Sequence, residues 1–151
     1  MLEARLRGIQ FLRDLPSTAI SAVADQLVAV ALPAGADVFA AGDPADALYL
    51  VSSGWLSVEE PSSGRELATL GPGSIFGEVG LLLDAPRSAT VRVLADAHLW
   101  RLARADVDAL VDSYPLVGVA LGREIGRRLL AADQRRAVDP PRVVVVSAPG
   151  A

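Results

Sequence analysis

The sequence predicts a mainly β domain, a sandwich or barrel, with helices at both ends. Three observations carry that expectation. Between Pro33 and Arg101, short apolar runs are separated by turn signals at nearly regular spacing. Before Pro16 and after Arg101, apolar residues instead recur every three or four positions, the period of an amphipathic helix. A chain of 151 residues, 52% of them hydrophobic, can bury a substantial core as one domain.

Leu2, Leu6, Ile9 and Leu12 predict an N-terminal helix with Arg5, Arg7 and Arg13 on its other faces. Pro16 and Ser17 punctuate it, and Ser17 is the expected cap of a second helix reaching about Gln26. Leu27 to Leu32, short and rich in valine and alanine, suits a strand. Further strands are expected at Val38-Phe39, Leu48 to Val51, Trp55 to Val58, Glu66 to Leu70, Ala89 to Leu94 and His98 to Leu102. The turns between them are Pro33-Ala34-Gly35, Gly42-Asp43-Pro44, Ser52-Ser53-Gly54, Pro61 to Gly64 and Gly71-Pro72-Gly73. Ala89, Val91 and Val93 alternate with Thr90 and Arg92, as in a half-buried strand.

After Arg101, Val107, Leu110 and Val111 predict a short helix ending near Tyr114-Pro115. Val117, Leu121, Ile125, Leu129 and Ala132 form one stripe of a longer helix, on which Glu124 reaches Arg127 or Arg128. The paired arginines therefore read as solvated surface. Asp139-Pro140-Pro141 breaks the chain, and Val143 to Val146 looks like the opening strand of another unit. The expected division is a domain at 1–136, then a linker and the start of a truncated unit at 137–151.

Composition excludes several classes. A net charge of −4 argues against direct nucleic-acid binding, which needs a basic face. No cysteine and one histidine, His98, leave no thiolate or histidine-rich metal site. No apolar run is long enough to span a membrane and no leader is visible, so a cytoplasmic domain, or the cytoplasmic part of a membrane-associated protein, is the expectation. Trp55 and Trp100 read as packing residues. There is no nucleophile elbow and, without lysine, no phosphate loop of the Gly-Lys-Ser/Thr kind. No catalytic residue is expected.

The stretch with chemical content runs from Gly71 to Val93. A glycine-rich loop leads into a short apolar turn, Val79 to Leu83, and then to Pro86-Arg87-Ser88 before an alternating strand. Gly77 and Gly80 allow close backbone approach to a ligand. Unpaired N–H groups at the start of the turn favour an anion. Arg87 offers a planar fork suited to phosphate, and Glu78 is an acceptor suited to a sugar hydroxyl. Gly71, Gly73 and Gly77 do not have the dinucleotide-binding spacing and lie in a β-rich context, so that fingerprint is rejected. The alternative reading of Glu78 and Arg87 is a structural ion pair beside an empty pocket.

Phe76-Gly77-Glu78, then Val79 to Leu83, then Pro86-Arg87-Ser88-Ala89-Thr90-Val91 closely resemble the phosphate-binding cassette of cyclic nucleotide-binding domains. Gly42-Asp43, Leu48 to Val51, Ser53-Gly54 and Leu70 to Gly73 extend the resemblance over about Phe11 to Arg136. It implies a jelly-roll-like barrel (a double-stranded β-helix) of eight strands, with N-terminal helices and C-terminal lid helices. It also implies roles. Arg87 would meet the cyclic phosphate, and Glu78 the ribose 2′-hydroxyl. Ser88 and Ala89 would add phosphate or base contacts, Gly77 would keep the cassette near the ribose, and Val79 would pack on the base.

The ligand implied is cAMP, with cGMP also open. Where relatives have a threonine-serine pair on the lid helix, this chain has Ala132 and Asp133; Asp133 could accept from an adenine amino group or be a solvated residue. Some members of the family keep the fold without the ligand, so a ligand-free interaction unit, dimerising through the C-terminal helix, is the alternative. Relatives joined to patatin-like phospholipase domains have a strand after the module, which makes an α/β effector domain in the same polypeptide the expected partner. No helix-turn-helix is seen in 137–151.

Overall fold

The computed structural model describes residues 12–138, with side chains described as far as Arg127. The order is α1 (Ser17–Gln26), β1 (Val28–Leu32), β2 (Asp37–Phe39), β3 (Ala47–Glu59), β4 (Glu66–Leu70), β5 (Ile75–Phe76), α2 (Glu78–Leu83), β6 (Thr90–Ala103), α3 (Arg104–Ser113) and α4 (Pro115–Val138). The mainly β architecture with flanking helices is as the sequence predicts. The N-terminal stripe Leu2, Leu6 and Ile9 and the run Val143 to Val146 lie outside the described residues. The expected limit at residue 136 falls inside α4.

The strands form one antiparallel sheet in the order β1-β6-β3-β4, with β2 also on β6 and β5 on β3. Its hydrogen-bonded path is open, so the described sheet is not a closed barrel. Among the described residues six strands stand where the resemblance implies eight: one anticipated turn lies within β3, and the segments expected at Ala89 to Leu94 and His98 to Leu102 are a single strand, β6. Ser52-Ser53-Gly54 does not end a strand. The β3–β6 register slips between Val51 and Ser53, Ser53 and Trp55, and Trp55 and Leu56, and the ladder resumes at Leu56↔Val93. Gly54 makes this bulge possible: its φ is 96°, and a Cβ there would lie 2.5 Å from the Asp96 carbonyl oxygen. Such a bulge bends a strand without breaking it. Across it, β6 runs unbroken through both expected segments. β5 is too short to have a detectable period.

Side-chain alternation along β3 divides the interior into two cores. Leu48 and Leu50 face the helices and pack with Ile20, Val107, Leu110, Val117 and Leu121. Ala47, Tyr49 and Val51 face the other way, onto Phe76, Val91, Val93 and Leu99. Of the helical stripes read from sequence, Leu12, Val107, Leu110, Val117 and Leu121 lie on the surfaces that cover one face of the sheet. At the start of α1, Ser17 is the first helical residue and Pro16 holds the cap position, its carbonyl accepting from the Ile20 N–H. Proline tolerates this because its φ is already set and the missing N–H is not needed there. On α4, Glu124 pairs with Arg127 at 2.7 Å.

Candidate functional site

The site lies where β5, the β2–β3 connection and the loop entering β6 converge on the second core. β5 ends at Phe76, and Gly77 turns the chain into α2 with a φ of 84°. Asp84 closes α2 in the left-handed region, and the Ala85 N–H returns to the Gly80 carbonyl at 2.9 Å. The loop is then stitched to the earlier turn: the Arg87 N–H donates to the Asp43 carbonyl at 2.9 Å and the Gly42 N–H donates to the Arg87 carbonyl at 2.8 Å. These two bonds fix where the Arg87 side chain leaves the backbone.

That side chain turns inward, and Arg87 is 5% exposed. Nη1 donates to the Gly77 carbonyl at 2.7 Å and Nη2 to the Ala47 carbonyl at 2.6 Å. The guanidinium lies over the Phe39 ring, 4.0 Å from its centroid. Phe39, Tyr49 and Phe76 form one aromatic cluster beneath it, with Tyr49 and Phe76 stacked at 5.2 Å. Oδ1 of Asp46 lies 3.8 Å from Nη2, on a side chain that is 67% exposed. Asp46 also meets Arg101, at 3.4 Å.

The electrostatics follow from this geometry. Burial pulls the Arg87 pKa down from its ordinary value, against the attraction of Tyr49, Asp46, Asp43 and Glu78. Arginine nonetheless remains charged in proteins. The Nε of Arg87 is buried with no hydrogen-bond partner among the described residues. A desolvated cation met mainly by neutral carbonyls is costly, by several kcal/mol in a real protein interior. An anion with two acceptor oxygens would offset that cost by using the donors still available. Glu78, 1% exposed, opens α2, where a carboxylate is favoured by the helix dipole.

The structure brings together most of the residues singled out from sequence. Phe76, Glu78 and Arg87 are buried, Gly77 lies between them, Ala89 is half-buried, and Ser88 is exposed. Val79 is exposed on the outer side of α2. Asp133 lies on α4 beyond the side chains described. Protein neighbours press on both glycines of the cassette. At Gly77 a Cβ would sit 2.9 Å from Nη1 of Arg87 and 3.3 Å from the Ala47 carbonyl; at Gly80 it would sit 2.8 Å from the Ala45 Cβ. Both are spared a side chain by protein neighbours.

Sequence reasoning missed Phe39, Ala47, Asp46 and Arg101. A carbonyl oxygen has no sequence signature, and Phe39 could be read only as a strand residue. Gly77→Ala is expected to destabilise the fold by about 1–3 kcal/mol, from the left-handed backbone and the displaced guanidinium. Chemical denaturation of both proteins measures it. Among the described residues no cluster of His, Asp and Glu is placed to hold a metal ion, and no helix is long and apolar enough to cross a membrane. His98 is exposed.

The model of the cyclic nucleotide-binding domain matches residues 29–114, more than half of the chain. The chain is 31% identical, over 145 residues, to an uncharacterized NTE family protein of Mycobacterium tuberculosis, covering 96% of this chain and 25% of that protein. It is 42% identical over 104 residues to the cyclic AMP receptor protein of Thermus thermophilus, covering 67% of this chain and 48% of the relative. The crystal structure of the catabolite activator protein of T. thermophilus superposes with a TM-score of 0.76 at 34% identity, over 85% of this chain and 62% of that one. The chain thus spans between a quarter and a half of these curated relatives.

Proposed function

The chain belongs to the cyclic nucleotide-binding domain family, a regulatory and non-catalytic domain, and we propose from that premise that it binds cAMP and relays occupancy through its C-terminal helices. The single observation that supports a ligand here is the buried Arg87 guanidinium, whose Nε has no hydrogen-bond partner among the described residues. In this reading the cyclic phosphate takes the available Arg87 donors and the N–H groups of Ser88 and Ala89. The ribose 2′-hydroxyl donates to Glu78, Gly77 leaves room for the sugar, and Val79 covers the base. Phe76 supports the pocket from beneath. Asp133 accepts from the adenine amino group when α4 closes over it. No metal or cofactor takes part.

Preference for cAMP over cGMP is supported by relatives such as the cyclic AMP receptor protein of T. thermophilus. A thermal shift tests the reading directly. cAMP at about one hundred times its dissociation constant stabilises the native state by about 2.7 kcal/mol. For a domain of this size that raises the melting temperature by about 5–10 °C. A smaller rise is expected with cGMP at the same concentration.

The likeness to an NTE family protein over nearly the whole chain supports an effector further along the same polypeptide, a hydrolase of the patatin-like type. A cytoplasmic site fits a cyclic nucleotide signal. Leu116 and Val119, exposed on α4, favour the second reading, an interaction unit dimerising through that helix. No thermal shift with either nucleotide, together with a dimer in sedimentation, would select it.

A further inference from the structure

Arg104 is the first residue of α3, and its head group reaches back to the last turn of α2. Its Nη2 donates to the Leu81 carbonyl at 3.2 Å and to Oδ1 of Asp84 at 2.8 Å, and its Nη1 donates to the Ala45 carbonyl at 3.3 Å. Its backbone N–H donates to the Asp46 carbonyl at 2.9 Å. One residue thus joins three segments: the end of the cassette helix, the entry to β3, and the start of the C-terminal helices. Asp84, which it holds, is the one non-glycine residue with positive φ among those described, at 52°.

We propose that Arg104 is the relay through which the position of α2 sets that of α3 and α4; the inference rests on the nucleotide-binding reading above. The geometry leaves little slack. A Cβ on Gly80 would meet Ala45 Cβ at 2.8 Å and the Ala85 carbonyl at 3.0 Å, so α2 is pressed against the entry to β3. Leu81 is buried in the helix-side core with Val107, Leu110 and Val117. The Val117 N–H donates to the Tyr114 carbonyl at 2.8 Å, and a Cβ on Gly118 would lie 3.2 Å from Val111, so α4 starts in close contact with α3. Bonds near 3 Å weaken steeply when stretched or misaligned. A shift of α2 on ligand binding therefore either breaks the two bonds from Arg104 to Leu81 and Asp84 or draws Arg104, and α3 with it, away from Ala45 and Asp46.

The ion pair with Asp84 is exposed, and by itself contributes little to stability. The importance of Arg104 is that it spans elements on both sides of the ligand signal, the physical requirement for coupling. The groups it meets belong to Ala45, Leu81 and Asp84, none of them placed in the nucleotide site, so its loss should uncouple more than it weakens binding.

The chain has no cysteine, so two introduced thiols can be spin-labelled uniquely. Ser62→Cys on the β3–β4 turn and Arg123→Cys on α4 are both at exposed positions. Pulsed dipolar spectroscopy then reads their separation with and without saturating cAMP, and calorimetry reads affinity in parallel. The expected result is a ligand-induced change in the doubly labelled parent. In Arg104→Ala and Arg104→Gln that change falls to less than half, while affinity stays within about fivefold, below the coupling expected of an allosteric domain. Arg104→Lys, which keeps the charge but not the fork, gives an intermediate change. A full change in either folded variant, or none in a parent that binds cAMP, overturns the relay. A parent that binds no cAMP by calorimetry overturns the binding reading itself, and the relay with it.

Discussion

Arg87→Ala is expected to weaken cAMP binding by about two to four decades, the equivalent of roughly 3–5 kcal/mol lost when one partner of a buried charged pair is removed. Two features of the site set that size. The guanidinium is nearly sealed from water, so its interaction with a phosphate is weakly screened. Its position is also fixed in advance, by backbone bonds from Arg87 to the Gly42-Asp43 turn, so little ordering is needed when ligand arrives. Arg87→Lys should recover only part of the loss, because an ammonium cannot present two parallel donors to a phosphate.

The unliganded protein should also lose stability in Arg87→Ala, by about 1–3 kcal/mol, since the Gly77 and Ala47 carbonyls lose their donors in a buried setting. Calorimetric titration with cAMP, with denaturation midpoints to establish that each variant is folded, measures both effects. Equal affinity in wild type and folded Arg87→Ala would remove Arg87 from the site.

The mainly β class was legible because a turn-punctuated series of short apolar runs and two helical stripes are local patterns. Arg87, Glu78 and Gly77 stood out because their chemistry is carried by side chains, or by the lack of one, within a stretch of eleven residues. The strand count was less legible. Ser52-Ser53-Gly54 has the composition of a turn, and whether such a triplet ends a strand or bulges it depends on β6 running past it, with Asp96 and Ala97 packed where a Cβ would otherwise be. Asp96 is 42 positions along the chain from Gly54. For the same reason Phe39 and Ala47 were not visible as parts of the site: the contact of each with Arg87 is created by the fold and has no local pattern. Gly80 shows the converse, a residue whose smallness was legible while its contact with Ala45 was not.

Glu78→Ala is expected to weaken cAMP binding by about 10- to 100-fold, or 1.5–3 kcal/mol for a hydrogen bond to a charged group. Affinity for cAMP alone cannot establish its role, because the Glu78 carboxylate also acts on the Arg87 charge, and removing it changes the phosphate subsite as well. A cycle with 2′-deoxy-cAMP separates the two effects. In the wild type, loss of the 2′-hydroxyl should cost about as much as loss of the carboxylate, since it leaves a buried acceptor without the donor it is proposed to meet. In Glu78→Ala the two nucleotides should bind within about threefold of each other, the residual expected once the specific hydrogen bond is gone. If instead the variant discriminates between them as strongly as the wild type does, Glu78 does not read the ribose, and its burial beside Arg87 serves only to balance that charge.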